Sequence, residues 1–300
     1  MNKICITGAS GFVGKNLVEI LKKNSYEVVS LSREQLQFPF EKSSCDVFIH
    51  CAARAHVMDK YDPEPWKKYY SSNVELSLRL AQKCVNAGVK RFIFISSIKV
   101  NGESTFYDEP FTHLQICNPK DLYGKSKFKA EEKLIALGKK TGLEIVIIRP
   151  PLVYGGGVKA NFASLFKLVG KRIPLPLRAI NNNKRSLVSV YNLIDLIKVC
   201  IEHPKASNQV FLVSDDNDIS TSDMVALMAK VQGVSNYSLP FPVWCFKLLG
   251  RLLNKQEVID RLVSSLQVDI THTKKTLNWK PPHSVEEGFT KCVEKNKGKK

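Results

Sequence analysis

The chain is short of acid. Over 300 residues, 28 Asp and Glu stand against 45 Lys and Arg, a formal charge of +17. The eight cysteines (Cys5, Cys45, Cys51, Cys84, Cys117, Cys200, Cys245 and Cys292) form no C-x-x-C pair and no His/Cys grouping at zinc spacing. This argues against a zinc fold or a disulfide framework, and no metal is expected. Several lie in apolar runs, as small buried hydrophobes do in a reducing compartment. No apolar run approaches the roughly 20 residues that cross a bilayer. The first strand starts almost at once, leaving no room for a secretory leader. A cytoplasmic protein without integral membrane association is expected. There is no internal repeat, no low-complexity linker and no nucleic-acid motif, so no nucleic-acid partner is expected. The basic residues are scattered, apart from a tail over 295–300 that is expected to be frayed. Their excess is read as background that helps collect phosphorylated substrates. His50, His56, His113, His203, His272 and His283 have no ligand spacing and read as structural.

What is present is an ordinary globular composition, 44% hydrophobic and 24% charged, with length for one large domain or two modest ones. Short apolar strands alternate with helical segments, which predicts a parallel sheet with crossover helices. The first strand, Lys3 to Ile6, runs into Thr7-Gly8-Ala9-Ser10-Gly11-Phe12-Val13-Gly14 and then an amphipathic helix with Leu17, Ile20 and Leu21 on one face. Gly8 permits the turn, Gly11 lets backbone approach a pyrophosphate, and Gly14 lets helix pack on sheet, the arrangement of a dinucleotide site. The second strand, Glu27 to Ser32, ends without the acid that usually accepts the ribose hydroxyls of NAD. Arg33 follows and suits a 2′-phosphate, so NADP(H) is favoured, with NAD(H) as the alternative if Glu34 serves as the ribose acid. A third strand ends in the small residues Cys51, Ala52 and Ala53, a helix spans Asn73 to Ala87, and a fourth strand ends in Ser96 and Ser97.

Tyr123 and Lys127 stand four apart, one turn of a helix running on to Lys139, so a phenol is expected beside an ammonium. A cation within about 4–6 Å lowers a phenol's pKa, making an acid/base for a sugar or alcohol oxygen. Ser97, at the carboxyl edge of the sheet where ligands bind, is the hydroxyl donor such a tyrosine needs. A strand at Glu144–Arg149 follows. Beyond Tyr154-Gly155 the texture changes: a helical piece near Asn161–Gly170, a Pro-flanked extended segment Ile173–Leu177, a strand Arg185–Val190, a helix Asn192–Glu202 and a strand Val210–Val213. The fold class expected is α/β, a Rossmann-type doubly wound parallel sheet (1–155, with returning pieces near 186–214) and a smaller C-terminal substrate-binding domain (156–300). Residues Phe241 to Leu253, apolar with Lys247 and Arg251, suit a basic amphipathic helix at a membrane surface. A lid or interdomain helix is the reading favoured for them.

Taken together, Gly8-x-x-Gly11-x-x-Gly14, His50-Cys51-Ala52-Ala53, Ser96-Ser97, Tyr123-x-x-x-Lys127, Arg149-Pro150, Val153-Tyr154-Gly155, Arg185-Ser186-Leu187-Val188 and Asp269…Leu277-Asn278-Trp279-Lys280-Pro281 resemble the extended short-chain dehydrogenase/reductases of the NAD-dependent epimerase/dehydratase family. The resemblance covers nearly the whole chain. It implies Tyr123 as the acid/base, Lys127 on the nicotinamide ribose, Ser97 on the reacting oxygen and Asn73 as support for the cofactor loop. It also implies that Asn161, Arg185 and Arg261 grip a nucleotide diphosphate, with Leu175 to Leu177 against the base. Nucleotide-sugar 4,6-dehydratases carry Thr-Asp-Glu where this chain has Ser97-Ile98-Lys99, so the acid and base for eliminating water are missing. Hydride transfer at C4 of a UDP-sugar remains. The favoured reading is a 4-keto-sugar reductase in surface polysaccharide precursor synthesis. The alternative is a UDP-glucose or UDP-N-acetylglucosamine 4-epimerase with retained NAD. A non-catalytic NAD(P)-sensing protein would have lost Tyr123 or Lys127. Leu266 stands where galactose epimerases that exclude N-acetyl sugars resemble one another in carrying tyrosine, which implies room for a 2-acetamido group and a UDP-N-acetylhexosamine. A homodimer is compatible with the resemblance.

Overall fold

In the computed structural model, residues 3–55, 63–106, 108–158, 160–252 and 256–297 are described. His56, Leu253 and the last three residues of the basic tail lie outside them. In chain order the elements are β1 (Lys3–Thr7), α1 (Phe12–Lys23), β2 (Glu27–Leu31), β3 (Val47–His50), α2 (Pro65–Tyr69), a π-helical turn Tyr70–Glu75 leading into α3 (Leu76–Ala87), β4 (Arg91–Ile95), α4 (Leu122–Thr141), β5 (Glu144–Arg149) and β6 (Leu152–Tyr154). There follow α5 (Ala160–Gly170), β7 (Leu187–Ser189), α6 (Val190–Glu202), β8 (Gln209–Leu212), α7 (Thr221–Gln232), α8 (Val243–Leu252), α9 (Gln256–Val263), α10 (Thr271–Leu277) and α11 (Val285–Lys297).

Six strands form one parallel sheet in the order β2-β1-β3-β4-β5-β8. Its sequence signature is the continuous apolar run, because both faces are covered. Side chains alternate across the pleat. Ile93 and Ile95 of β4 join Leu17 of α1 and Ile197 of α6 on one side. Phe92 and Phe94 join Leu80 of α3 and Leu134 of α4 on the other. The chain leaves β1 outward to β2 and then crosses to β3, so the direction of strand order switches between β1 and β3. Connections diverge there, leaving a crevice at the carboxyl ends of the strands. β8 extends the sheet beyond β5, as expected of a returning segment near 210.

The strand expected over Arg185–Val190 is shorter. Only Leu187–Ser189 is extended, paired in parallel with β6 in a separate two-stranded ribbon. It stops because Ser189 caps α6, its hydroxyl accepting the N–H of Asn192 at 3.1 Å. A third apolar cluster gathers Tyr154, Phe162 and Phe166 with Met228 of α7, Phe246 of α8 and Phe289 of α11. Tyr154 is fully buried, and its hydroxyl donates to Asp215 at 2.7 Å. The basic tail is helical as far as Lys297. Among the described residues no helix is long and apolar enough to cross a membrane.

Candidate active site

The glycine turn after β1 is tight for stated reasons. Gly8 has φ +74°, and a Cβ there would stand 2.6 Å from the backbone nitrogen of Ala52. At Gly14 a Cβ would meet the Gly8 carbonyl oxygen at 2.2 Å. The turn is closed by the Gly11 N–H donating to Gly8 at 2.9 Å, and Gly11 begins α1 with no side-chain cap. The first N–H groups of α1 thus have no side-chain acceptor, and with the helix dipole they suit an anion. Ser10 is exposed, and Phe12 and Val13 are partly buried against the first core cluster. Across the crevice, the segment carrying Cys51, Ala52 and Ala53 is braced by Asn73. Its amide accepts from the Arg54 N–H at 2.8 Å and donates to the Arg54 carbonyl at 3.1 Å and to Ser126 Oγ at 2.9 Å. Arg33 is exposed just past β2 and makes no hydrogen bond or ion pair with the described residues.

At the end of β4, Ser97 is half-buried and its hydroxyl accepts the Lys99 N–H at 3.3 Å. The turn that follows lies against the first turn of α4: a Cβ on Gly124 would be 2.7 Å from the Lys99 carbonyl oxygen. Asp121 caps α4, accepting the Gly124 N–H at 2.6 Å. The carboxylate also pairs with Lys99, which in turn pairs with Glu103 at 3.1 Å. Burial pushes Asp121 upward, but Lys99, the Gly124 N–H and Arg261 together hold it below the usual carboxylate value. This puts Ser97 and Tyr123 on two abutting turns, with Lys127 one turn further along α4.

The electrostatics differ from the sequence expectation. Lys127 is 1% exposed, donates to the Ile95 carbonyl at 2.7 Å and lies over the Phe94 ring at 4.1 Å. Burial brings its pKa down to about 7, against the opposing pull of Glu131 and Cys51. Tyr123 is displaced upward by burial, then by Asp121 and Tyr69. The phenol thus stands above its ordinary value instead of below it, first because it is buried and second because of Asp121, while the Lys127 ammonium is engaged with Ile95 and Phe94. Sequence reasoning also missed Glu131, four residues beyond Lys127. It forms a buried ion pair with Arg149 at 2.5 Å and accepts from Ser96. The i, i+4, i+8 spacing of Tyr123, Lys127 and Glu131 was the signal available.

Two arginines meet near this edge. Arg185 donates to the Ser264 carbonyl at 3.0 Å, and burial together with Arg261 lowers its pKa to about 10. Arg261, on α9, lies within electrostatic range of both Arg185 and Asp121. Asn161 is exposed at the second position of α5, and no described contact joins it to these arginines. Leu175 is half-buried, while Leu177 belongs to the third apolar cluster. Leu266 is 7% exposed and packs with Val268 and Ile270 in the first cluster. The Leu266 N–H donates to the Lys184 carbonyl at 2.9 Å, next to Arg185.

A profile of the NAD dependent epimerase/dehydratase family matches residues 4–214. Over 309 aligned positions the chain is 50% identical to the UDP-glucose 4-epimerase of Vibrio cholerae, with 97% of this chain and 94% of that one covered. Among solved structures, UDP-glucuronic acid 4-epimerase from Bacillus cereus in complex with NAD has a TM-score of 0.79 at 21% identity, covering 98% of this chain and 96% of that one. RMD from Pseudomonas aeruginosa complexed with NADPH has a TM-score of 0.76 at 19% identity, covering 98% and 99%. At those identities the structural likeness concerns the fold.

Proposed function

Because the chain belongs to the NAD-dependent epimerase/dehydratase family, we propose that it is a UDP-sugar 4-epimerase. The observation that carries this reading is the 50% identity, over nearly its full length, to a protein of that activity. It moves the balance away from the 4-keto-sugar reductase that the missing acid on β2 favoured. The residues present fit a dinucleotide. The Gly8–Gly14 turn and the open N-terminus of α1 would hold the pyrophosphate, with Ala52 and the Asn73-braced segment alongside. When bound, the nicotinamide supplies hydride acceptance from C4 and its return.

This chain's own residues have the following parts. Tyr123 takes and returns the proton of the C4 hydroxyl. Burial holds the phenol above its ordinary value, so it stands as a proton donor; its turn as base would draw on Lys127, the cation one helical turn away. Ser97 hydrogen-bonds the same oxygen. Arg185 and Arg261 would take the diphosphate, which relieves the repulsion between them. Ile98 has no proton to give and is buried, and Lys99 is engaged by Asp121 and Glu103, so elimination of water lacks its acid and base. In this reading, the region after residue 155 is the nucleotide-sugar-binding part.

The test is to incubate purified protein with UDP-galactose, and separately with UDP-N-acetylgalactosamine, with and without added NAD, following C4 configuration by NMR. Interconversion of one or both pairs without net consumption of cofactor is expected. Failure to interconvert either pair, together with stoichiometric NADPH oxidation on a UDP-4-keto sugar, would return the assignment to a reductase.

A further inference from the structure

The charge of the chain is not spread evenly. Residues 145–194 and 224–256 together contain twelve Lys and Arg and no Asp or Glu; of these, Arg149, Lys184 and Lys230 pair with Glu131, Asp108 and Glu286, and Arg185 belongs to the candidate site. The same two stretches hold large apolar side chains that the fold leaves in water: Leu168, Ile173, Tyr237, Leu239, Trp244 and Leu248 are all exposed, Trp244 by 67%. The two stretches are joined. The Leu175 N–H donates to the Tyr237 carbonyl at 3.1 Å, the Leu239 N–H to the Leu175 carbonyl at 2.8 Å, and the Arg178 N–H to the Leu239 carbonyl at 3.1 Å. This strap sets Tyr237 and Leu239 beside Leu175 and Arg178, and α8 begins shortly after it. On α8, Trp244 and Leu248 stand one turn apart on one face. Phe246 faces inward to the third cluster, edge-on to Phe241 at 5.3 Å. The helix-packing reading of this segment accounts for Phe246 and leaves Trp244 and Leu248 without a partner. Lys167, Lys171, Arg172 and Arg178 are exposed, and none pairs with a carboxylate among the described residues.

We propose that this face docks the protein peripherally on an anionic lipid surface. Exposed Trp and Leu among uncompensated Lys and Arg have the chemistry of an interfacial segment, whose apolar side chains enter the headgroup boundary while the cations meet lipid phosphates. A second copy is the poorer occupant, because each copy would bring the exposed Lys167, Lys171, Arg172 and Arg178 to the contact. Nucleic acid would use the cations and leave Trp244 and Leu248 unexplained. The side chains the tests change, Lys171, Arg172, Trp244 and Leu248, are none of the proposed site residues, so failure of the docking proposal leaves the epimerase reading standing.

Sedimentation of the purified chain with vesicles tests it, comparing phosphatidylcholine alone with phosphatidylcholine containing a minority of phosphatidylglycerol. Binding to the anionic vesicles only is expected, with a blue shift of tryptophan emission that Trp244→Phe removes. Lys171→Ala and Arg172→Ala should each weaken binding roughly fivefold. The double variant Trp244→Glu, Leu248→Glu should weaken it by at least about tenfold while keeping the parent's circular dichroism and thermal transition. Equal affinity for neutral vesicles, no vesicle binding by the parent, or unchanged binding by a folded double variant overturns the proposal. Capture on duplex DNA without vesicle binding also overturns it, and assigns the surface to nucleic acid.

Discussion

His50 should make the protein acid-sensitive by a calculable amount. It ends β3 at the switch point of the sheet and is fully buried. Its Nε2 lies 3.0 Å from Ser77 Oγ and its Nδ1 2.6 Å from Thr7 Oγ1. The Ser77 hydroxyl spends its proton on the Asn73 carbonyl at 2.6 Å, so Nε2 donates to Ser77 and Nδ1 accepts from Thr7. The ring is therefore neutral, in one tautomer, joining β1, β3 and α3. Burial first, and Lys127 second, lower its pKa from 6.5 to about 3. Its folded value lies below the unfolded one, so on acidification the unfolded chain takes up this proton first. Stability is lost as pH falls from 6.5 towards 3. At pH 5 the unfolded histidine is almost wholly charged and the folded one is not, a cost of about 2 kcal/mol. Urea midpoints at pH 7 and pH 5 for the parent and for His50→Gln measure it. The variant starts less stable, but subtraction cancels the carboxylates and the other histidines. The parent should lose about 2 kcal/mol more than the variant between the two pH values. Equal losses in both would falsify the assignment of a neutral, buried His50.

Three changes probe the chemistry more directly. Tyr123→Phe should leave folding and cofactor binding intact and reduce C4 turnover by roughly 10²–10⁴-fold, the usual worth of acid/base catalysis; near-parental turnover in the NMR assay would remove Tyr123 from the mechanism. Arg33→Ala should weaken NADPH more than NADH in a fluorescence titration, because only NADPH carries the 2′-phosphate. Equal effects on the two, or none, would leave the preference for NADP without support. Arg185→Ala should weaken UDP binding by about 2–5 kcal/mol, as loss of a buried phosphate contact does, with nicotinamide binding unchanged. Calorimetry showing parental UDP affinity would mean that the arginine pair recognises something else.

Much of the sheet was legible because its central strands are buried on both faces and read as apolar runs, as in Phe92 to Ile95. Gly8 and Gly14 were legible because close backbone approach tolerates only that residue. The β6–β7 ribbon was not. Its strands are three residues long, too short for a period of two to declare itself. Leu266 is buried together with Val268 and Ile270, a packing that its spacing from Asp269 did not announce. Arg185 and Arg261 lie 76 positions apart in the chain, and nothing local announces that they meet.

The column Tyr123, Lys127 and Glu131 shows where spacing stops being enough. Spacing of four puts all three on one side of α4, but not how their charges interact. Glu131 is tied to Arg149 at 2.5 Å, and Arg149 also reaches Asn101 at 3.0 Å. That carboxylate is therefore shared with a guanidinium and supports Lys127 only in part; burial of the ammonium wins, and its pKa falls to about 7. At the other end of the column, burial raises Tyr123 and Asp121 adds to the rise. The same Asp121 is the cap that starts α4 and the partner of Lys99, the residue standing where a dehydratase has its base. One carboxylate thus caps the helix that carries the tyrosine, occupies Lys99, and adds to the burial that keeps the phenol protonated.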